Sequence, residues 1–185
     1  KKQSTYPTMN SLAPLPIANL VIRALGVALL FGATALSTAS AADFKLNWST
    51  DGVELSEGGK KVFFYQRATK SQDGKHPRAN YLHPLYDLDG EIITDDFPKD
   101  HPHHRGIFWT WHNFQLNGKP IGDPWTCTDI IWDVVNLEEV AGRNENVITL
   151  VADVVWKSPL QKDAAGALVP LLKETTLIRV HKADR

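Results

Sequence analysis

Asp96, Asp100, His101, His103, His104 and Arg105 form the densest run of reactive side chains in this sequence. They lie in DDFPKDHPHHRGIFWTWH, Asp95 to His112, which holds four of the seven histidines. Imidazole titrates near neutrality and a neighbouring carboxylate tunes it, so His101, His103 or His104 beside Asp96 or Asp100 is a candidate catalytic acid or base. Arg105 is a candidate for holding a carboxylate or an oxyanion, and equally a candidate partner of Asp95 or Asp96 inside the loop. In an extended segment side chains alternate between faces. That reading puts His101 and His103 on one side, about 7 Å apart at Cα, and His104 on the other. An H-x-H pair of this kind can offer two imidazoles to one divalent metal ion, so His101 and His103 are the candidate metal pair. His83, Asp96, Asp100, His112 and Glu174 are candidate third ligands, and the spacing selects none of them. The sequence has no H-E-x-x-H and no multi-cysteine pattern.

Trp109 and Trp111 follow the histidines, and Trp125 lies further on. Exposed indoles can stack on the C–H face of a sugar, so these three are candidate substrate-binding residues, with His83 and Glu174 as candidates for completing the site. Alternation puts Phe108 on the face opposite Trp109 and Trp111. A plainer reading stands beside this one: two prolines, a glycine and the aspartates make a loop that is polar because water surrounds it. Trp48, Trp132 and Trp156 are expected in the core, His76 and His181 at the surface, and Cys127 as a buried structural thiol.

The elements that must position these groups read as β almost throughout. FKLNWS (44–49) alternates apolar and polar residues, Asp51-Gly52 signals a hairpin, and VELS follows. EGGK turns the chain into KVFFYQ (61–66). ATKSQDGKHPR reads as a loop. NYLHPLYDL (80–88) is a strand edged by Pro84, and Asp89-Gly90 is a turn. RGIFWTWHNFQL (105–116) reads as an aromatic strand ended by NGKP. TDIIWDVVNLEEV, NVITLVADVVWKS and LLKETTLIRVHK are long strand-forming runs, and QKDAAGALVP is a loop. Short strands at intervals of about ten residues predict an all-β fold, an antiparallel β-sandwich or barrel.

Composition sets further bounds. A net charge of −1 over 185 residues with no basic stripe argues against nucleic acid as a partner. Arg23 precedes an apolar run, Ala24–Leu36, that as a helix spans about 20 Å, short of the ~30 Å hydrocarbon core. Ala39-Ser40-Ala41 then places small residues at a cleavage position. Residues 1–41 are therefore expected to comprise upstream residues, with Met9 as the first plausible start, and a secretory signal peptide. Residues 42–185 are the expected domain, periplasmic or secreted, with no stable membrane insertion after cleavage. A single cysteine rules out a disulfide within the chain. The last residues, ETTLIRVHKADR, read as a strand pattern that continues, so a C-terminally truncated domain is expected.

The stretch NYLHPLYDLDGEIITDDFPKDHPHHRGIFWTWH, with KETT further on, resembles the core of a family of exported bacterial proteins known as PmoA-like, "methane oxygenase PmoA", otherwise a domain of unknown function. The resemblance covers about Val62 to Arg185 and is most specific at YLHPLY and DDFPKDHPHHRGIFW. It implies an all-β domain, a sandwich of the sugar-epimerase type or similar, and an association with saccharide breakdown. It also implies that this chain is the N-terminal part of a longer member. Methane oxidation itself is not expected, because one short apolar run cannot supply a polytopic membrane subunit. The expected function is a carbohydrate-active enzyme (a hydrolase, lyase or epimerase) using the histidines on a saccharide or other small molecule. The alternatives are a non-catalytic carbohydrate-binding module and a metal-dependent oxidoreductase.

Overall fold

The alternation at Phe44 and Leu46 becomes β1 (Phe44–Trp48), the first edge of a four-stranded sheet. The chain reverses where the Ser49 amide donates to the Gly52 carbonyl at 2.8 Å, then runs back as β2 (Gly52–Glu57) and, past Gly58 and Gly59, as β3 (Lys60–Gln66). The structure, a computed structural model, describes residues 43–140 and 145–183. The expected signal peptide and upstream segment lie outside them. β4 (Lys70–Gln72) and β5 (Lys75–Arg78) form a hairpin where a loop was expected. Its sequence has no apolar alternation. Asp73 and Gly74, at φ 51° and 75°, supply the left-handed turn that closes it. β6 (Tyr81–Leu85) pairs antiparallel with β3, giving the order β1-β2-β3-β6.

The aromatic run after Arg105 is not the single strand that its composition predicts. Only Phe114–Leu116 is regular (β7), paired with β8 (Lys119–Gly122). Residues 105–113 are irregular, and their backbone pairs with the four-stranded sheet in one isolated bridge, Leu82 to Ile107. Gly106 explains the break. Its φ is 70°, and a Cβ there would sit 2.1 Å from the Leu82 carbonyl oxygen, so the chain crosses β6 too closely for any side chain.

β9 (Ile131–Val140), β10 (Val147–Lys162) and β11 (Leu168–His181) form a second antiparallel sheet in the order β11-β10-β9. Ile148, Leu150, Ala152, Val154 and Trp156 recur at every second position of β10 and are buried. They form one core with Val53 and Leu55 of β2, Phe63 and Tyr65 of β3, and Trp132 and Val134 of β9. The two larger sheets therefore share a single apolar interior, to which each large buried side chain contributes roughly 1.5–3 kcal/mol. Among the described residues there is no helix, and the fold is all-β. Register then decides what β11 offers the interior. Glu174 pairs with Val154 and Leu172 with Trp156, so Glu174 shares the inward face of β11 with Leu172, Thr176 and Ile178. Trp132 and Trp156 are core residues as expected. Trp48 is not: it ends the edge strand β1 and is 50% exposed.

Candidate functional site

The histidine segment turns twice and is not extended. The His101 amide donates to the Pro98 carbonyl at 3.1 Å, and the His104 amide to the His101 carbonyl at 2.9 Å. Two-residue alternation therefore fails, and His104 does not face away from the other two. Its ring stacks on His101 at 4.9 Å and meets His103 edge-on at 4.6 Å, with His101 and His103 at 6.0 Å. His76, expected as a plain surface residue, approaches His103 at 6.2 Å. Trp125, on the turn after β8, borders the group, with its ring 5.6 Å from His104 and 5.5 Å from His112.

Two carboxylates flank the cluster. His101 Nδ1 lies 3.0 Å from Asp100, and His112 Nδ1 lies 2.8 Å from Asp123. Burial works against ionisation of Asp123, but hydrogen bonds from His112 and the Thr126 amide outweigh it and hold that carboxyl below its usual range. His103 moves the other way for a base. Burial first, then the imidazoles of His104, His76, His101 and His112, hold its pKa below the ordinary histidine value. The shift favours the neutral imidazole and makes it a weaker base. Among the described residues no group of three or more His, Cys, Asp or Glu side chains is arranged to hold a metal ion, although Asp100 and His104 lie against the His101–His103 pair.

What holds the turn is Arg105, which is 0% exposed. Its Nε donates to Asp96, one terminal nitrogen donates to the Lys70 and His76 carbonyls, and the other to the Tyr81 hydroxyl at 2.7 Å. The guanidinium also stacks on Phe97 at 3.6 Å. Arg105 is thus a partner of Asp96 within the loop, closing the segment across the Asp96–Arg105 bridge. Burial opposes ionisation of Asp96, but hydrogen bonds from Lys70 and Arg105 outweigh it and lower its pKa. His83 lies apart from the cluster, sharing a 3.0 Å hydrogen bond with the Thr94 hydroxyl.

A second constellation surrounds Glu174. Its Oε1 accepts from Asn80 Nδ2 at 2.9 Å and from the Thr176 hydroxyl at 2.6 Å, and its Oε2 accepts from Trp156 Nε1 at 2.7 Å. Asn80 in turn accepts from the Tyr65 hydroxyl at 2.7 Å. The carboxyl is therefore fixed by three donors, one of them an indole belonging to the core. Beside it opens a cleft of about 310 Å³, walled by Ile107, Phe108, Trp109 and Leu177 and floored by Tyr65, Asn80, Glu174 and Thr176. A shallower opening of about 470 Å³ adjoins the same Glu174 and Trp109. Trp109 is 60% exposed and braced edge-on by Trp111 at 5.0 Å. Trp111 itself stacks on Trp156 at 5.1 Å, beneath that surface.

The structure thus divides the expected site. It brings Glu174 and Trp109 together and puts Trp125 with the histidines. It sets Trp111 beneath Trp109 and leaves His83 elsewhere. Neither opening is lined by a histidine. Asn80 and Thr176 lie in the NYLHPLY and KETT stretches but, like Tyr65, are not singled out by residue type or spacing, since the three come from separate parts of the chain. The one local sign is Asn80, buried at φ 58°, a backbone shape that asparagine adopts more readily than most residues.

No curated protein matches the chain, and no solved structure does. Residues 52–185 match DUF6807, a family of unknown function, and the chain belongs to that family.

Proposed function

We propose that this chain is the carbohydrate-recognition domain of an exported protein, and that the saccharide lies in the Glu174–Trp109 cleft. The observation that carries this is an exposed indole standing beside a carboxyl that three donors fix in place. A pyranose has an apolar C–H face and a rim of hydroxyls, and such a pair meets both at once. The resemblance to exported PmoA-like proteins, with their link to saccharide breakdown, supports the same reading. Titration calorimetry against an oligosaccharide panel tests it. Binding is expected in the wild type, lost by at least about tenfold in Trp109→Ala, and kept in His101→Ala/His103→Ala. Affinity unchanged in Trp109→Ala would remove the cleft from the proposal.

A second reading, a carbohydrate-active enzyme using the histidine turn, is favoured by His103, whose ring packs against His76, His101 and His104 and whose pKa is lowered by burial and neighbouring imidazoles. Phe108 connects the two regions, lining the cleft and standing 6.1 Å from the Trp125 ring. Turnover of a bound glycan that disappears in His103→Ala, with affinity intact, would favour this reading over simple recognition.

A further inference from the structure

We infer that the Glu174–Trp109 cleft selects uncharged saccharides and rejects acidic ones; this rests on the carbohydrate reading above and names the class of sugar that the site takes. Three of the floor's donors already point at protein acceptors. The Tyr65 hydroxyl donates to Asn80, and the Asn80 amide and the Thr176 hydroxyl both donate to Glu174. The Tyr81 hydroxyl, also at the cleft, accepts from Arg105 and leans towards Asp96 at 3.4 Å. Beside the second N–H of the Asn80 amide, what the floor still offers a ligand is acceptor capacity, chiefly at Glu174 Oε2, which accepts one bond where Oε1 already accepts two. Sugar hydroxyls supply donors to match it. The charged group of a uronate or sulfated sugar brings only acceptors, and would meet the Glu174 carboxyl at close range.

Nearby cations place no donor in the cleft lining, although Arg78 interacts electrostatically with Glu174 from behind the wall. Arg105 is fully buried and committed to Asp96, Tyr81 and two carbonyls. Arg78 is buried behind the cleft wall, sandwiched between Phe108 at 4.3 Å and Trp132 at 4.1 Å, and donates to the Pro124 carbonyl. Lys173 borders only the shallower outer opening and sits on the exposed register of β11. It is the group that would favour an anion, so it belongs in the test.

The experiment compares matched probes by titration calorimetry near neutral pH: neutral gluco-, galacto-, manno- and xylo-oligosaccharides against oligogalacturonate and oligoglucuronate of equal length. At least one neutral probe is expected to bind, and the acidic probes to bind at least about tenfold more weakly. Glu174→Gln, which keeps shape but supplies an amide donor, is expected to shrink that ratio, and Lys173→Ala to leave it unchanged. Thr176→Val, a second alteration of the floor, is expected to weaken neutral binding. Thermal melting checks that each variant folds. Acidic probes binding as tightly as neutral ones in the wild type would overturn the selectivity while leaving the carbohydrate reading standing. No binding of any probe, neutral or acidic, would overturn the carbohydrate reading, and the selectivity with it.

Discussion

The histidine turn and the Glu174 cleft hold their polar groups in opposite ways. The turn gathers Asp96, Asp100, three histidines and Arg105 from ten consecutive residues and buries only the Asp96–Arg105 pair, leaving the imidazoles partly exposed. The cleft takes Tyr65 from β3, Asn80 from before β6, Trp109 from the irregular segment and Glu174 and Thr176 from β11. Its carboxyl is then tied to Trp156, which is wholly buried. The difference is one of foundation. A turn dense in charge must be braced from within, and here the arginine that could have met a ligand is used as that brace. A carboxyl on the inward register of a long strand inherits its rigidity from the core.

Removing the brace is the strongest way to break this comparison. Arg105→Met keeps the bulk but leaves Asp96 buried with only the half-exposed Lys70 as a charged partner. It also frees the Lys70 and His76 carbonyls and the Tyr81 hydroxyl from their donor. Breaking a buried pair from one side costs about 3–5 kcal/mol, and Lys70 places the expected loss near the lower end, about 3 kcal/mol. Urea unfolding measures it. A loss below about 1 kcal/mol would mean that the turn stands without its arginine and that both regions rest on the core alike.

The converse test acts on the cleft. Trp156→Phe keeps a large aromatic ring against Trp111 and Trp132 but deletes the donor to Glu174. A lost hydrogen bond to a carboxyl is worth about 1.5–3 kcal/mol, and the cavity left by the smaller ring adds to it. Stability is therefore expected to fall by at least about 2 kcal/mol, and affinity for a neutral oligosaccharide should fall with it, because Glu174 keeps only Asn80 and Thr176. His101→Ala, at an exposed position of the turn, should alter neither. If Trp156→Phe destabilised the protein but left affinity intact, Glu174 would not depend on the core for its function.

The same contrast explains how much could be read in advance. The long strands were legible because Val and Ile alternate with polar residues along β10 and its neighbours, and the Asp51-Gly52, Gly58-Gly59 and Asn117-Gly118 turns carry their own chemistry. The histidines were legible as a cluster, but not in their arrangement. Period-two reasoning needs an extended chain, and the hydrogen bonds from His101 to Pro98 and from His104 to His101 show a turn. The Gly106 crossing hid in the same way, since its cause is the Leu82 carbonyl, far off in sequence. Glu174 was a candidate without partners. Its partners Asn80 and Trp156 are set by sheet order and register, which no local pattern records. The β4–β5 hairpin escaped because β4 is exposed and β5 buries an arginine, Arg78, so neither has an apolar face, leaving Asp73-Gly74 as its sole signal.

The smallest effect expected is a pH dependence, and it separates the two regions most finely. His103 and His83 both have folded pKa values held below the ordinary 6.5, His103 by burial and neighbouring imidazoles, His83 chiefly by burial. As pH falls through about 6.5 the unfolded chain takes up these protons first, so stability is full above that value and declines below it until the folded pKa values are passed. Asp96 is the opposite case. Its folded pKa lies below the ordinary 3.8, so its contribution is present above that value and is lost only as pH falls further, through the lowered pKa. Urea midpoints from about pH 7.5 down to about 1.5 should therefore show two declines, with His103→Asn reducing the first and leaving the second. No histidine lines the cleft, so oligosaccharide affinity should stay level through the first decline. An affinity that fell in step with the histidine window, and that His103→Asn restored, would show that the turn and the cleft act as one site.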